Sequence, residues 1–267
     1  MQKNNRKKYE SLLAMSLASI MLLAFTYSNE AIELIPKSNI SKVVLSPSDS
    51  TKIILNTAIT EYNAAQNIQL SGKIISGKII ALEYKTLSNN NPKKNKNWIA
   101  IWQGSQIHYA EKPLRKILIT NNNQDGGLAF DSLVIRNLQY IVGYGSSDSI
   151  STASSTLYFQ KGSTIGIPFS TSIKVIDIGP NYIISRFTTP LGNTPKDNDN
   201  WIGIWKGKTF SYDGSDIIKR VKVQPNVASG LAAINDLTLE RQTWYTVVYG
   251  SGQSWSDVSA TFTFQTK

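Results

Sequence analysis

The chain contains no cysteine, and His108 is the only histidine among its 267 residues. Without cysteine there is no disulfide staple, no thiol nucleophile and no attachment point for a lipoprotein lipid of the usual bacterial kind. Exported eukaryotic sandwich domains often carry disulfides, so their absence points to a bacterial source, or to a core that needs no staple. A single histidine excludes both a duplicated histidine site and a histidine cluster for zinc. No segment beyond residue 32 sustains a helical period. Long apolar runs are also lacking, with one exception. Ser11–Tyr27 carries no charge and follows Lys3, Arg6, Lys7 and Lys8, which reads as an export signal over residues 1–28, cleaved after Ser28 or near Ala31. The rival reading is an uncleaved membrane anchor, for which this run is at the short limit.

Acidic side chains are the minority, 18 against 28 basic ones, for a formal net charge of +10. Setting the signal aside, residues 29–162 carry 14 basic and 9 acidic groups, and residues 163–267 carry 10 and 8. The first half is therefore the more basic. Lys93, Lys94 and Lys96 share one loop, and Lys112, Arg115 and Lys116 lie in another segment. Such clusters suit an anionic membrane or polysaccharide, or serve as ordinary solubilising charge. Export argues against nucleic acid as a partner.

What the chain does contain is a duplication. Pro92–Gly104 returns as Pro195–Gly207, Tyr140–Gly145 as Tyr245–Gly250, and Phe159-Gln160 as Phe264-Gln265. A period of about 100 residues is too long for a solenoid unit and fits a whole small domain. Short runs rich in Val, Ile, Thr, Tyr and Trp alternate with Asn, Gly, Ser, Asp and Pro clusters, the pattern of a sandwich or barrel. Seven strands are expected per repeat, near 68–75, 79–85, 97–103, 114–120, 132–135, 139–145 and 154–160 in the first. In the second they fall near 172–178, 182–188, 200–206, 218–223, 236–240, 244–250 and 258–265. That number suits an immunoglobulin-type sandwich. The expectation is all-β: two tandem immunoglobulin-like β-sandwich domains, 67–162 and 163–267, after the signal segment and an arm at 29–66. The short join at Lys161–Ser163 predicts a semi-rigid rod with a small interface. In the arm, Lys42–Ser46 and Lys52–Ile59 are strand-prone and have no counterpart in the second repeat. They would cap the first domain or pair with a neighbouring molecule.

Two aromatic strands carry the local signals. In Trp98-Ile99-Ala100-Ile101-Trp102, alternation puts both indoles and Ala100 on one face; Trp201, Gly203 and Trp205 repeat this. The rings pack in a core, or the outward ones form a stacking platform for sugar or lipid. Tyr140 and Tyr245 stand just inside a strand, as in the tyrosine corner of sandwich domains, whose hydroxyl ties back to the preceding loop. The Asn-Trp-Ile-x-Ile-Trp strand, a following tyrosine (Tyr109, Tyr212) and the Tyr-x-Val-x-Tyr strand resemble SKICH-type domains. They are also similar to the sandwich that precedes the catalytic domain of purple acid phosphatases. That resemblance implies a non-catalytic module for targeting or packing, and the metal-binding motifs of the phosphatase domain are missing.

Asp197-Asn198-Asp199-Asn200 is the one metal-like string, and Asp197 and Asp199 are candidate calcium ligands. Lys94 and Lys96 replace them in the first repeat, and Asx residues also dominate plain turns. The functional expectation is a secreted or surface-held, non-enzymatic binding protein, an adhesin or surface-recognition module. Its ligand-binding candidates are Trp98, Trp102, Trp201 and Trp205 with the lysine clusters. Its partner would be a cell-surface glycan, a protein or an anionic membrane. Two alternatives stand beside it: a self-associating fibre subunit that uses the arm for strand complementation, and a membrane-binding toxin.

Overall fold

The computed structural model describes residues 62–267, with side chains from residue 65 onward. The export signal and the strand-prone segments of the arm lie outside these residues. Among the described residues no helix is long and apolar enough to cross a membrane. The regular structure among these residues is strand, apart from one short 3-10 turn at Ile150–Thr152.

The first sandwich faces a three-stranded sheet against a five-stranded one. The small sheet holds β2 (Gln69–Ser76), β3 (Ile79–Lys85) and β6 (Asp125–Phe130), in that order. The large sheet runs β5 (Arg115–Leu118), β4 (Trp98–Gln103), β7 (Tyr140–Gly145), β8 (Ala153–Phe159) and β9 (Ile167–Ser170). Leu70, Ile80, Leu82 and Phe130 from one sheet meet Ile99, Ile101, Val142 and Leu157 from the other. Fully burying a side chain of this size contributes roughly 1.5–3 kcal/mol.

The second sandwich repeats the plan. Its small sheet is β10 (Ser172–Ile178), β11 (Tyr182–Thr188) and β14 (Ser229–Asn235). Its large sheet is β13 (Ile217–Lys222), β12 (Trp201–Lys206), β15 (Trp244–Gly250), β16 (Val258–Gln265) and, at the edge, β1 (Tyr62–Asn67). Both tyrosine corners are present: the Tyr140 hydroxyl accepts from the Arg136 amide at 3.0 Å and Tyr245 from Glu240 at 2.8 Å.

Two strands fall elsewhere than the sequence suggests. The expected strands at 132–135 and 236–240 are loops that begin with a positive φ, at Ser132 (57°) and Asp236 (52°). The ladders instead use Asp125-Gly-Gly-Leu-Ala-Phe130 and Ser229-Gly-Leu-Ala-Ala-Ile-Asn235. Glycine in a strand marks close approach of something large. A Cβ at Gly126 would lie 2.8 Å from the Tyr84 hydroxyl, and one at Gly230 would lie 3.0 Å from the Phe187 ring.

The larger departure is at the join. β9 lies beyond the expected boundary at 162/163, yet it closes the first sandwich by pairing antiparallel with β8 (Ser155↔Ser170, Thr156↔Phe169). β1 does the same for β16 of the second sandwich, with Ala260↔Asn67 and Thr261↔Gln66. These are the same register positions of the repeat. Each closing strand then passes through one residue, Ile68 or Thr171, into the small sheet of the other sandwich. Those hinge amides donate to Ser259 and Ser154 respectively, at 3.2 and 2.9 Å. Ser154 and Ser259, themselves repeat mates, touch hydroxyl to hydroxyl at 3.0 Å. A residue that meets its own counterpart is the mark of an isologous, two-fold contact. Both sandwiches belong to one compact unit. The expected rod with a small interface is therefore replaced by reciprocal strand exchange.

Candidate functional site

The tryptophan strands meet neither expectation in full. Trp98 and Trp102 do lie on the face away from the sandwich core, in a second cluster with Ala100, Ile107, Ile141 and Ala153. Their rings are nevertheless buried, as are Trp201 and Trp205, with at most 3% of any of the four exposed. Glycines make the room: a Cβ at Gly145 would lie 2.0 Å from the Trp98 indole, and one at Gly250 2.1 Å from Trp201. Loops cover the rings, and the indole nitrogens of Trp98, Trp102 and Trp205 donate to the carbonyls of Ser149, Glu111 and Ser215. No stacking platform is open to solvent at these four positions.

The cations are partly committed. Lys116 lies 5.3 Å over the Trp98 ring, and its repeat mate Arg220 lies 4.4 Å over Trp201 and 4.3 Å over Trp255. Lys96 and Lys116 converge on Asp148, at 3.6 and 3.5 Å, while Arg115 pairs with Asp131 at 3.0 Å. Lys93, Lys94 and Lys112 are exposed. In the candidate calcium string, the Asp199 carboxylate is held by Lys222 at 2.6 Å. Asp197 is exposed, and its amide donates to Asn226 Oδ1 at 3.2 Å. Among the described residues no group of three or more histidine, aspartate or glutamate side chains is placed to hold a metal. His108 stands 3.9 Å from Glu111 in an exposed loop contact.

The seam between the sandwiches holds buried polar groups. Tyr109 of the first sandwich packs beside Gly192 of the second. Its mate Tyr212 packs against the first core and bears electrostatically on Tyr144. Both hydroxyls are buried with no hydrogen-bond partner, and burial pushes both phenols well above their usual range. Asp257, 2% exposed, accepts from the Ser254 amide at 2.7 Å. Burial raises its carboxyl above the usual value, against the opposing pull of the Ser147 hydroxyl, its other bonds and Arg220.

The concave surface lies around β9 of the first sandwich, and the sequence did not single it out. Pro168 and Phe169 form a ridge with a depression on each side. The larger, about 690 Å3, lies on the outer face of β2, β3 and β6, floored by Gln69, Ser71, Glu83, Lys85, Asp125 and Gly127. The smaller, about 380 Å3, is apolar, with Ile107, Ile141, Tyr158, Ile167 and Leu191. Its counterpart in the second sandwich holds about 150 Å3 and is mainly polar, lined by Gln66, Ser88, Thr246, Thr261 and Thr263 with Lys208 and Phe210. The registers equate Phe169 with Gln66, Ile141 with Thr246 and Tyr158 with Thr263. The two repeats thus share a frame and differ at this face. The signal available in sequence was Pro168-Phe169 itself, an apolar pair in a stretch that lacked strand character.

No protein-family model matches the chain, and no curated protein matches it. Among solved structures, one similar chain is the BSP domain of a biofilm-associated protein, at 12% identity and a TM-score of 0.22. The match covers 70% of this chain and 27% of that one, so the chain spans about a quarter of its length. Another is the FN1–FN3 segment of chicken CNTN1, at 13% identity and a TM-score of 0.25, covering 80% of this chain and 68% of that one.

Proposed function

We propose that the chain is an exported, non-enzymatic recognition module that works at a cell surface, with the β9 face of the first sandwich as its contact surface. One observation carries this reading. Two repeats with the same ladders and the same buried tryptophans differ at this face, where one keeps an exposed aromatic ridge between two depressions and the other has Gln66 at the ridge and a smaller, mainly polar hollow beside Lys208 and Phe210. A frame needs both repeats alike; a binding face needs only one. The export part rests on Lys3–Tyr27, and the likeness to SKICH-type and purple acid phosphatase modules supports the same non-catalytic role.

The test uses the protein's own second repeat as a guide to tolerated residues. Phe169→Gln with Leu191→Ser installs the residues of Gln66 and Ser88 and keeps the fold. Purified wild type is expected to bind saturably to at least one member of a panel of immobilised extracellular proteins and polysaccharides. The double variant should then lose at least tenfold in affinity. Absence of saturable binding across the panel, or equal binding by the variant, would sink the reading. The toxin alternative needs exposed tryptophans, which Trp98, Trp102, Trp201 and Trp205 do not provide. The fibre alternative gives the donor role to Lys42–Ile59, which lies outside the described residues; the neighbouring residues 62–67 pair with β16 of their own chain.

A further inference from the structure

We infer that the larger depression binds a neutral saccharide chain. The inference rests on the recognition reading above and names the ligand class of the same face. Across β2, β3 and β6 the register aligns two rows of outward side chains. Gln69, Lys85 and Asp125 form one, and Ser71, Glu83 and Gly127 form the other. Neighbouring strands are about 4.8 Å apart, so amide, ammonium, carboxylate and hydroxyl groups alternate over the floor. Such a surface offers a donor or an acceptor at each step to a ligand that is itself covered in hydroxyls. Hydrogen bonds from hydroxyls to carboxylate are charge-assisted and stronger than neutral ones.

Three further features narrow the class. Gly127 leaves the floor without a side chain at one corner, so a flat ring can approach the backbone. Phe169, 39% exposed, stands in the wall and offers a ring face for the C–H side of a sugar. Glu83, Lys85 and Asp125 are all exposed, and among the described residues none is held in an ion pair. Two carboxylates against one ammonium disfavour sulfated, phosphorylated or uronic chains. The volume of about 690 Å3 falls within the usual range of ligand sites, about 300–1,000 Å3.

The second sandwich lacks each feature. Arg186 stands at the position of Glu83, Ser229 at that of Asp125 and Leu231 at that of Gly127. Ser172 and Thr188 there bond to each other at 2.7 Å instead of facing outward to a ligand. The repeat therefore supplies substitutions that the fold accepts: Glu83→Arg, Asp125→Ser and Gly127→Leu.

The experiment is calorimetric titration of the full chain with cellohexaose, maltohexaose and a galactohexaose. Saturable binding of at least one is expected, weakened tenfold or more by Glu83→Arg and by Asp125→Ser. Val227→Ser, on an exposed loop of the second sandwich, should leave it unchanged. No binding of any of the three by the wild type would overturn the inference, and so would binding that ignores Glu83→Arg and Asp125→Ser. If the wild type binds immobilised protein through Phe169 and Leu191 but takes no hexasaccharide, the saccharide inference falls while the recognition reading stands.

Discussion

At the scale of single residues, buried polar groups make opposite demands on stability. Tyr140 and Tyr245 each accept a backbone hydrogen bond, whereas Tyr109 and Tyr212 bury a hydroxyl with no partner. Removing a satisfied group costs about 1 kcal/mol, and removing an unsatisfied one returns a comparable amount. Tyr245→Phe is expected to lower stability by about 1 kcal/mol and Tyr212→Phe to raise or preserve it, as read from urea midpoints. Gly145→Ala drives a methyl into the Trp98 indole. Overpacking of this kind costs roughly 1–3 kcal/mol, and the same denaturation series would show it. Asp257 gives a pH dependence. Its carboxyl binds its proton more tightly folded than unfolded, so its contribution favours folding below the usual carboxylate range and is lost as pH rises through the raised value. Asp257→Asn, which stands in for the protonated form, should exceed wild type in stability at neutral pH. The gap should close at about pH 3. A variant weaker than wild type at neutral pH would mean that Arg220 and Ser147 outweigh burial.

At the scale of elements, legibility in the sequence followed side-chain size. β4, β7 and β8 and their repeat mates were plain because aromatic and β-branched residues fill both faces of central strands. β6 and β14 were missed because the bulk that packs there belongs to Tyr84 and Phe187 on the neighbouring strands, leaving glycine on the strand itself. β1 and β9 were missed because closing strands are short and half-exposed, and Pro168 weakens the signal of β9. The pairing of tryptophans was read correctly as a shared face. That the face is roofed by its own loops depends on Gly143, Gly145 and Gly250, whose meaning appears only once the strands are set side by side. The proposed binding face was illegible for a related reason: Glu83 and Asp125 lie 42 positions apart and become neighbours only through the register of β3 and β6. Loss of β1 tests the role of a closing element. Removing residues 1–67 should expose the edge of β16 and speed its amide exchange most, with the small sheet of the first sandwich least affected. Uniform exchange across both sandwiches would contradict an element-specific role.

At the scale of the whole molecule, strand exchange couples the two repeats. Neither sandwich can open its closing strand without dragging a strand of the other. Thermal unfolding of the full chain should therefore show one cooperative transition, with calorimetric and van't Hoff enthalpies in agreement. Two resolved transitions would mean that the sandwiches are independent after all. The coupling also bears on the proposed binding face: its wall, β9, is continuous through Thr171 with β10 of the second sandwich, so the ridge is braced from both sides.

The position of β1 has one more consequence. Tyr62 pairs with Phe264, three residues from the last residue of the chain, just as Ile167 pairs with Tyr158 across an ordinary hairpin. A short peptide linking Lys267 to residue 61 would turn the gap between β16 and β1 into a second such hairpin. The path would then be a closed loop with two equal steps and no privileged origin. A permutant opened at Gly162, in the existing hairpin, should trace the same ladders from a new beginning.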